Sequence, residues 1–102
     1  MRALPDNYPE PKLNNRQYQV LRRLGQGPLP RTECNYVACS TNGPRYIDEL
    51  RHRFNLTIWT ERVSVIARDG RESWIGIYHL LPESRSRAKE LLKEFELRDR
   101  NK

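Results

Sequence analysis

Apolar residues recur three and four apart through the first half of the chain and alternate in much of the second. Val20, Leu21 and Leu24 form the first stripe, with Leu13 or Tyr18 at its edge. That spacing predicts an amphipathic helix. Asn14 or Asn15 can cap it, and it runs to about Leu24, with Arg16, Arg22 and Arg23 off the stripe. Gly25, in Gly25-Gln26-Gly27-Pro28, suits the left-handed position that ends a helix. Leu29-Pro30 allows only a brief extended pairing, because proline donates no ladder hydrogen bond.

The next helix starts near Arg31–Thr32 and ends around Ala38. Thr32 offers a cap, and Glu33 suits the positive end of the helix. Cys34 and Ala38, with Tyr36 or Val37, would face the core. A tight turn is predicted at Cys39–Gly43, then a helix from about Pro44 to Phe54. Ser40-Thr41-Asn42 supplies cap groups, and Pro44 falls in the first turn, where a missing N–H costs nothing. Ile47, Leu50 and Phe54 share one face of this helix, while Arg45, Asp48, Glu49 and His52 share the other. Two helices joined by a short turn, the second polar outward, are the layout of a helix-turn-helix.

After Phe54 the period changes. Thr57–Ala67 is rich in β-branched and aromatic residues, and Ser73–Leu81 forms a matching return strand. Between them lies Arg68-Asp69-Gly70-Arg71, whose Asp-Gly pair is a hairpin-turn signal. Val63, Val65 and Ala67 alternate cleanly but are out of parity with Ile58, which predicts a bulge or bend near Thr60–Arg62. Trp59 and Trp74 can stack on a base, but strand tryptophans more often serve as hydrophobic cover, and cover is the expectation. From Glu83 to Arg98, after Pro82, the helical spacing returns with Ala88, Leu91, Leu92 and Phe95. That stripe either packs back on the body or meets its copy in a second chain.

These elements divide the chain into a proline-rich arm over residues 1–12, a domain over 13–81 and a C-terminal helix and tail over 82–102. The fold class is α+β: three helices plus a hairpin, a winged helix-turn-helix, with one additional helix. The chain has 102 residues, enough for one modest core, and 36% are hydrophobic against 31% charged. No apolar run approaches the length that spans a bilayer, and Met1-Arg2-Ala3-Leu4-Pro5 lacks a secretory h-region, so a cytoplasmic protein without a membrane partner is expected.

Charge sharpens the picture. The net charge is +6. Residues 1–12 balance, ten basic against six acidic side chains give +4 over 13–81, and seven against five give +2 over 82–102. The excess sits mostly where the helix-turn-helix is, which suits a polyanion. Cys34 and Cys39 match no zinc spacing, and His52 and His79 are not at finger spacing, so no metal is expected and both cysteines read as reduced thiols. No other cofactor is implied. Catalysis is not expected either: no paired carboxylates share a strand end, no glycine-rich loop cradles a phosphate, and no Ser or Cys sits in a nucleophile motif.

The run Asn42-Gly43-Pro44-Arg45-Tyr46-Ile47-Asp48-Glu49-Leu50-Arg51-His52-Arg53-Phe54 resembles the recognition helix of a small helix-turn-helix family common in bacteriophages and prophages. In that family a run such as Arg-Ile-x-x-Leu-Arg-x-Arg precedes a turn and an Ile-bearing strand. Here Ile58-Trp59-Thr60-Glu61-Arg62-Val63 follows at the right distance, and Gly76-Ile77-Tyr78-His79-Leu80 looks like the family's closing strand. The resemblance covers about Leu13 to Leu81. It departs at Phe54-Asn55, where family members often carry a glycine. It implies DNA binding, by a phage or prophage regulator of transcription, replication or excision acting in the bacterial cytoplasm.

On duplex DNA the third helix enters the major groove and its exposed residues meet base edges. Thr41, Asn42, Arg45, Glu49 and His52 are the expected readers. Arg45 leads, because a guanidinium takes guanine O6 and N7 together. Arg31, Arg51 and Arg53 are candidate phosphate contacts, and Arg68 and Arg71 flank the wing tip. A homodimer through Ala88, Leu91, Leu92 and Phe95 is a second expectation. The rival reading is a phage-encoded module that binds and inhibits a host protein without touching DNA. It rests on Asp48 and Glu49, whose charge opposes phosphate.

Overall fold

The computed structural model describes residues 12–100. Seven elements follow in order: α1 (Asn15–Gln26), β1 (Leu29–Pro30), α2 (Arg31–Ala38), α3 (Gly43–Arg53), β2 (Ile58–Ile66), β3 (Glu72–Leu80) and α4 (Pro82–Arg100). The fold is α+β, with four helices and one antiparallel sheet in the order β1-β3-β2. Apart from Lys12, the arm expected at residues 1–12 lies outside the described residues.

Asn14 and Gln17 start α1 as a reciprocal cap. The Gln17 N–H donates to Asn14 Oδ1 at 2.8 Å, and the Asn14 N–H donates to Gln17 Oε1 at 3.0 Å. Leu13, Tyr18, Val20, Leu21 and Leu24 are all buried. The helix runs one turn-half further than its stripe suggests. Gly25 is helical, and Gly27 ends the helix with φ 152°. Leu29 and Pro30 pair with Tyr78 and Ile77, so the brief pairing forms despite the prolines.

The α2–α3 corner is tight. Cys39 adopts a left-handed conformation, φ 52°, and its N–H donates to the Tyr36 carbonyl at 3.1 Å. Neither predicted cap group acts: Thr32 is inside α2, and Asn42 makes no side-chain cap bond. Instead Asn35 Oδ1 on α2 accepts from the Gly43 N–H at 2.6 Å and so caps α3 from outside. Gly43 is required by proximity. A Cβ there would stand 2.5 Å from the Cys34 carbonyl carbon and 2.6 Å from the Asn35 nitrogen.

α3 buries Tyr46, Ile47 and Leu50, and Phe54 after it is buried too. Asn55 then takes the left-handed conformation, φ 54°, that glycine would favour, so the Phe54-Asn55 departure leaves the turn intact. The predicted bulge in β2 is absent. β2 and β3 pair without interruption from Ile58↔Leu80 to Ile66↔Glu72. The parity shift has another cause: the two faces of the hairpin do different things. Ile58, Tyr78 and Leu80 are buried at its base against the helices. Val63, Val65, Ile75 and Ile77 lie on the other face, half-buried and covering one another across the strands.

α4 packs back on the body. Ala88 and Leu91 are buried, and Leu92 and Phe95 pack against the same core. The apolar stripe offered as a dimer seam is therefore occupied within one chain. Ser84 Oγ accepts from the Thr57 N–H at 2.7 Å, which fixes the start of α4 to the α3–β2 link. Among the described residues no helix is long and apolar enough to cross a membrane.

Candidate nucleic-acid interface

α3 presents one edge to solvent because its other edge fills the core. Thr41, Asn42, Arg45, Asp48, His52 and Arg53 are exposed on or beside it. Five of these carry hydrogen-bonding or cationic groups that suit a polyanion; Asp48 opposes one. Arg45 is 66% exposed, with Glu49 at 4.0 Å. Such a solvated pair contributes little and leaves the guanidinium available.

Two expected contacts are placed differently. Glu49 is only partly turned to solvent. Its carboxylate is only 17% exposed, and Oε1 accepts from Nε2 of the buried Gln17 on α1 at 3.4 Å. One carboxylate oxygen thus serves the Gln17 amide, while Glu49 still borders the outer hollow of α3 beside Arg45 and His52. Arg51 is also engaged. Its Nε and one terminal nitrogen donate to the Ile58 carbonyl at 3.0 and 2.7 Å, and that same nitrogen donates to Thr60 Oγ1 at 2.7 Å. Its guanidinium carbon also lies 5.9 Å from the Tyr78 ring centre, and Asp48 pairs with it at 3.5 Å. Arg51 ties α3 to the base of the hairpin and is no free phosphate contact.

The hairpin approaches α3 across a cleft of about 460 Å³, with Arg31, Pro44, Asp48 and Arg51 on the helical side and Thr60, Arg62 and Trp74 on the sheet side. Arg31 and Arg62 make no ion pair among the described residues. Trp74 is 63% exposed on the same sheet face as Arg62, which corrects the expectation that it is cover. Trp59 is 52% exposed on the opposite face, its ring centre 5.2 Å from that of His79, whose Nε2 is 2.9 Å from Glu61 Oε1. Trp59 is therefore no core residue either, and it points away from the cleft.

At the tip, the Gly70 N–H donates to the Ala67 carbonyl at 2.9 Å, and Gly70 has φ 80°. Arg68 and Arg71 are exposed beside it, and Asp69 lies 3.5 Å from Arg71. Arg62 and Trp74 are the residues that the pattern reading missed. The signal was present: in an unbroken strand Arg62 shares the parity of Ile58, hence the face turned toward α3.

Three side chains under this surface are perturbed, Tyr78 among them, its phenol raised chiefly by burial. Burial pushes the Cys34 thiol up to about 11, with Arg31 opposing the shift. Tyr46, whose hydroxyl accepts from Arg16 at 3.3 Å, is held below the usual phenol range chiefly by that bond. Among the described residues no group of three or more His, Cys, Asp or Glu is placed to hold a metal ion. No protein-family model matches the chain, and no curated protein or solved structure is significantly similar to it.

Proposed function

We propose that this is a winged helix-turn-helix that binds double-stranded DNA, with α3 in the major groove and the β2–β3 hairpin as the wing. The element order, the sharp α2–α3 corner and the sheet order β1-β3-β2 support the architecture. One observation carries the function: Arg62 and Trp74 of the hairpin face Pro44, Asp48 and Arg51 of α3 across one cleft, and the adjoining hollow, which shares Pro44 and Asp48, is lined by Asn42, Arg45, His52 and Arg53. A rigid helix edge with free donors reads bases, and a flanking strand pair with free arginines holds the backbone.

The residues divide accordingly. Thr41, Asn42, Arg45 and His52 meet base edges. Arg31, Arg53, Arg62, Arg68 and Arg71 meet phosphates, and Arg51 positions α3 against the wing. Glu49 orients Arg45 from the α1 side. The resemblance of the α3 run to phage recognition helices makes a phage or prophage regulatory role the matching biological setting. In this reading the protein performs no catalysis. The acidic pair that motivates a host-protein module is partly compensated: Glu49 bonds Gln17 and lies 4.0 Å from Arg45, and the exposed Asp48 lies 3.5 Å from Arg51.

Fluorescence anisotropy of a labelled random-sequence duplex, titrated at several salt concentrations, tests this directly. Binding should weaken steeply as salt rises, since each neutralised phosphate contributes a slope of about 0.9 in the log–log plot. Arg45→Ala should weaken it further and, on a selected cognate site, cost about 1–3 kcal/mol at one base pair. Absence of binding at low salt would remove the DNA reading.

A further inference from the structure

α1 and α4 run antiparallel, touch at one end and part at the other. At the closed end the rings of Tyr18 and Phe95 stack 4.2 Å apart, and the Tyr18 hydroxyl donates to Glu96 at 2.8 Å. Two helical turns further along the same face of α1 the residue is Gly25, and nothing stands within 4 Å of the place its Cβ would occupy. The helices leave a cleft of about 390 Å³ there. Leu80, Ala88 and Leu92 form its floor, and Arg22, Arg85 and Lys89 its rim.

Nothing among the described residues calls for a glycine at this position. Gly25 lacks the positive φ of Gly27 and Gly70, and it is not crowded as Gly43 is. A glycine inside a helix weakens it relative to alanine. Its effect here is to keep the cleft open. No carboxylate lines that cleft, and its three cations make no ion pair among the described residues.

We infer that the α1–α4 cleft is a docking site for an acidic peptide segment of another protein, with one bulky apolar side chain seated beside Gly25 on Leu80, Ala88 and Leu92. Flanking carboxylates meet Arg22, Arg85 and Lys89, which have no acidic partner among the described residues and ring an apolar floor, so the charge of the site complements that peptide. Nucleic acid suits it poorly. The floor is aliphatic, no aromatic side chain lines the cleft for a base to stack on, and phosphates gain nothing from an apolar floor. The cleft shares no lining residue with the α3–hairpin cleft, so both surfaces can be occupied at once.

The test is affinity selection from a displayed random-peptide library against the full chain, followed by binding measurements on the synthesised winner. Wild type should enrich peptides with carboxylates around a single bulky apolar residue. Gly25→Leu places a strong helix former in open space and fills the cleft, so it should stay folded by circular dichroism and lose on the order of tenfold in affinity. The double variant Arg85→Glu with Lys89→Glu should lose at least as much. Amide shifts on titrating the winner should centre on Gly25, Leu80, Ala88 and Leu92. No enrichment, enrichment of peptides without that pattern, equal binding by Gly25→Leu, or shifts centred elsewhere would each overturn the inference. Displacement of the winner by random duplex DNA would overturn it too, reassigning the cleft to nucleic acid.

Discussion

The α2–α3 corner and the β2–β3 hairpin both carry candidate DNA contacts, but they are held in opposite ways. The corner is positioned by packing. Gly43 lies against the backbone of α2, and Tyr46, Ile47 and Leu50 fill the core. The hairpin is anchored at its root by β1 and the helices and is held beyond that by its own ladder. Beyond Ile58, Tyr78 and Leu80 at the base, none of its residues is buried. Arg51 is the side chain that joins the two, through the Ile58 carbonyl and Thr60. The difference teaches where each region's precision comes from. Base reading needs donors fixed to a fraction of an ångström, which a packed helix supplies. Phosphate contact tolerates motion, because its energy is mostly unoriented Coulomb attraction.

The largest expected effect breaks the corner. Gly43→Ala forces a Cβ into the Cys34 carbonyl and Asn35 nitrogen, backbone atoms that cannot swing aside. It should destabilise the fold by about 3 kcal/mol or more. Gly70→Ala at the hairpin tip meets open space and strains only a φ of 80°, so about 1 kcal/mol is expected. Denaturant unfolding followed by far-ultraviolet circular dichroism measures both. Equal losses at the two glycines would mean that the hairpin is packed as firmly as the corner.

A smaller effect concerns binding alone. Replacing Arg68 and Arg71 together by Ala removes two exposed cations, one beside the solvated Asp69. Stability should stay within about 0.5 kcal/mol of wild type. The salt dependence of duplex binding should flatten by about 1.8 in log–log slope, the share of two phosphates. An unchanged slope, with binding otherwise intact, would take the wing tip off the DNA and leave α3 to act alone.

How legible these regions were follows the same division. The helices could be read because each buries a stripe with period near 3.6, so Ile47, Leu50 and Phe54 already name the inner face of α3. The hairpin turn could be read from Asp69-Gly70. What the pattern did not give was which face of the hairpin meets the body. Val63, Val65, Ile75 and Ile77 alternate as core residues do, yet they cover one another on the outside. A two-stranded wing has a core only at its root, and the bulge predicted to restore parity does not exist. That hid Arg62 and turned Trp74 into expected cover. Side-chain commitments were equally out of reach. Arg51 and Glu49 look like surface charges in a helical wheel, and only the neighbouring strand and α1 show that they are already bonded. The cap of α3 by Asn35 is non-local, and no sequence rule for the flanking residues reaches it.

The last expected effect, seen only at high pH, asks whether the corner is as dry as its packing implies. Cys34 is fully buried in α2 beside Gly43, whereas Cys39 is exposed in the turn itself. Burial raises the Cys34 thiol from 9.0 to about 11, so the folded state favours the protonated form. Below pH 9 the thiol is protonated in both folded and unfolded chains, and this contribution to stability is fully present. Between pH 9 and pH 11 the unfolded chain ionises first, and the contribution is lost as pH rises. A rise from 9.0 to about 11 corresponds to a loss of roughly 2–3 kcal/mol. It is read as the difference between wild type and Cys34→Ala in urea unfolding on either side of that range, where the cavity left by the substitution cancels. Alkylation gives the same answer kinetically. Cys39 should react in the folded protein, and Cys34 only at the rate at which the corner opens. If the two thiols react alike, the corner opens freely, and the base-reading edge of α3 is no more fixed than the wing.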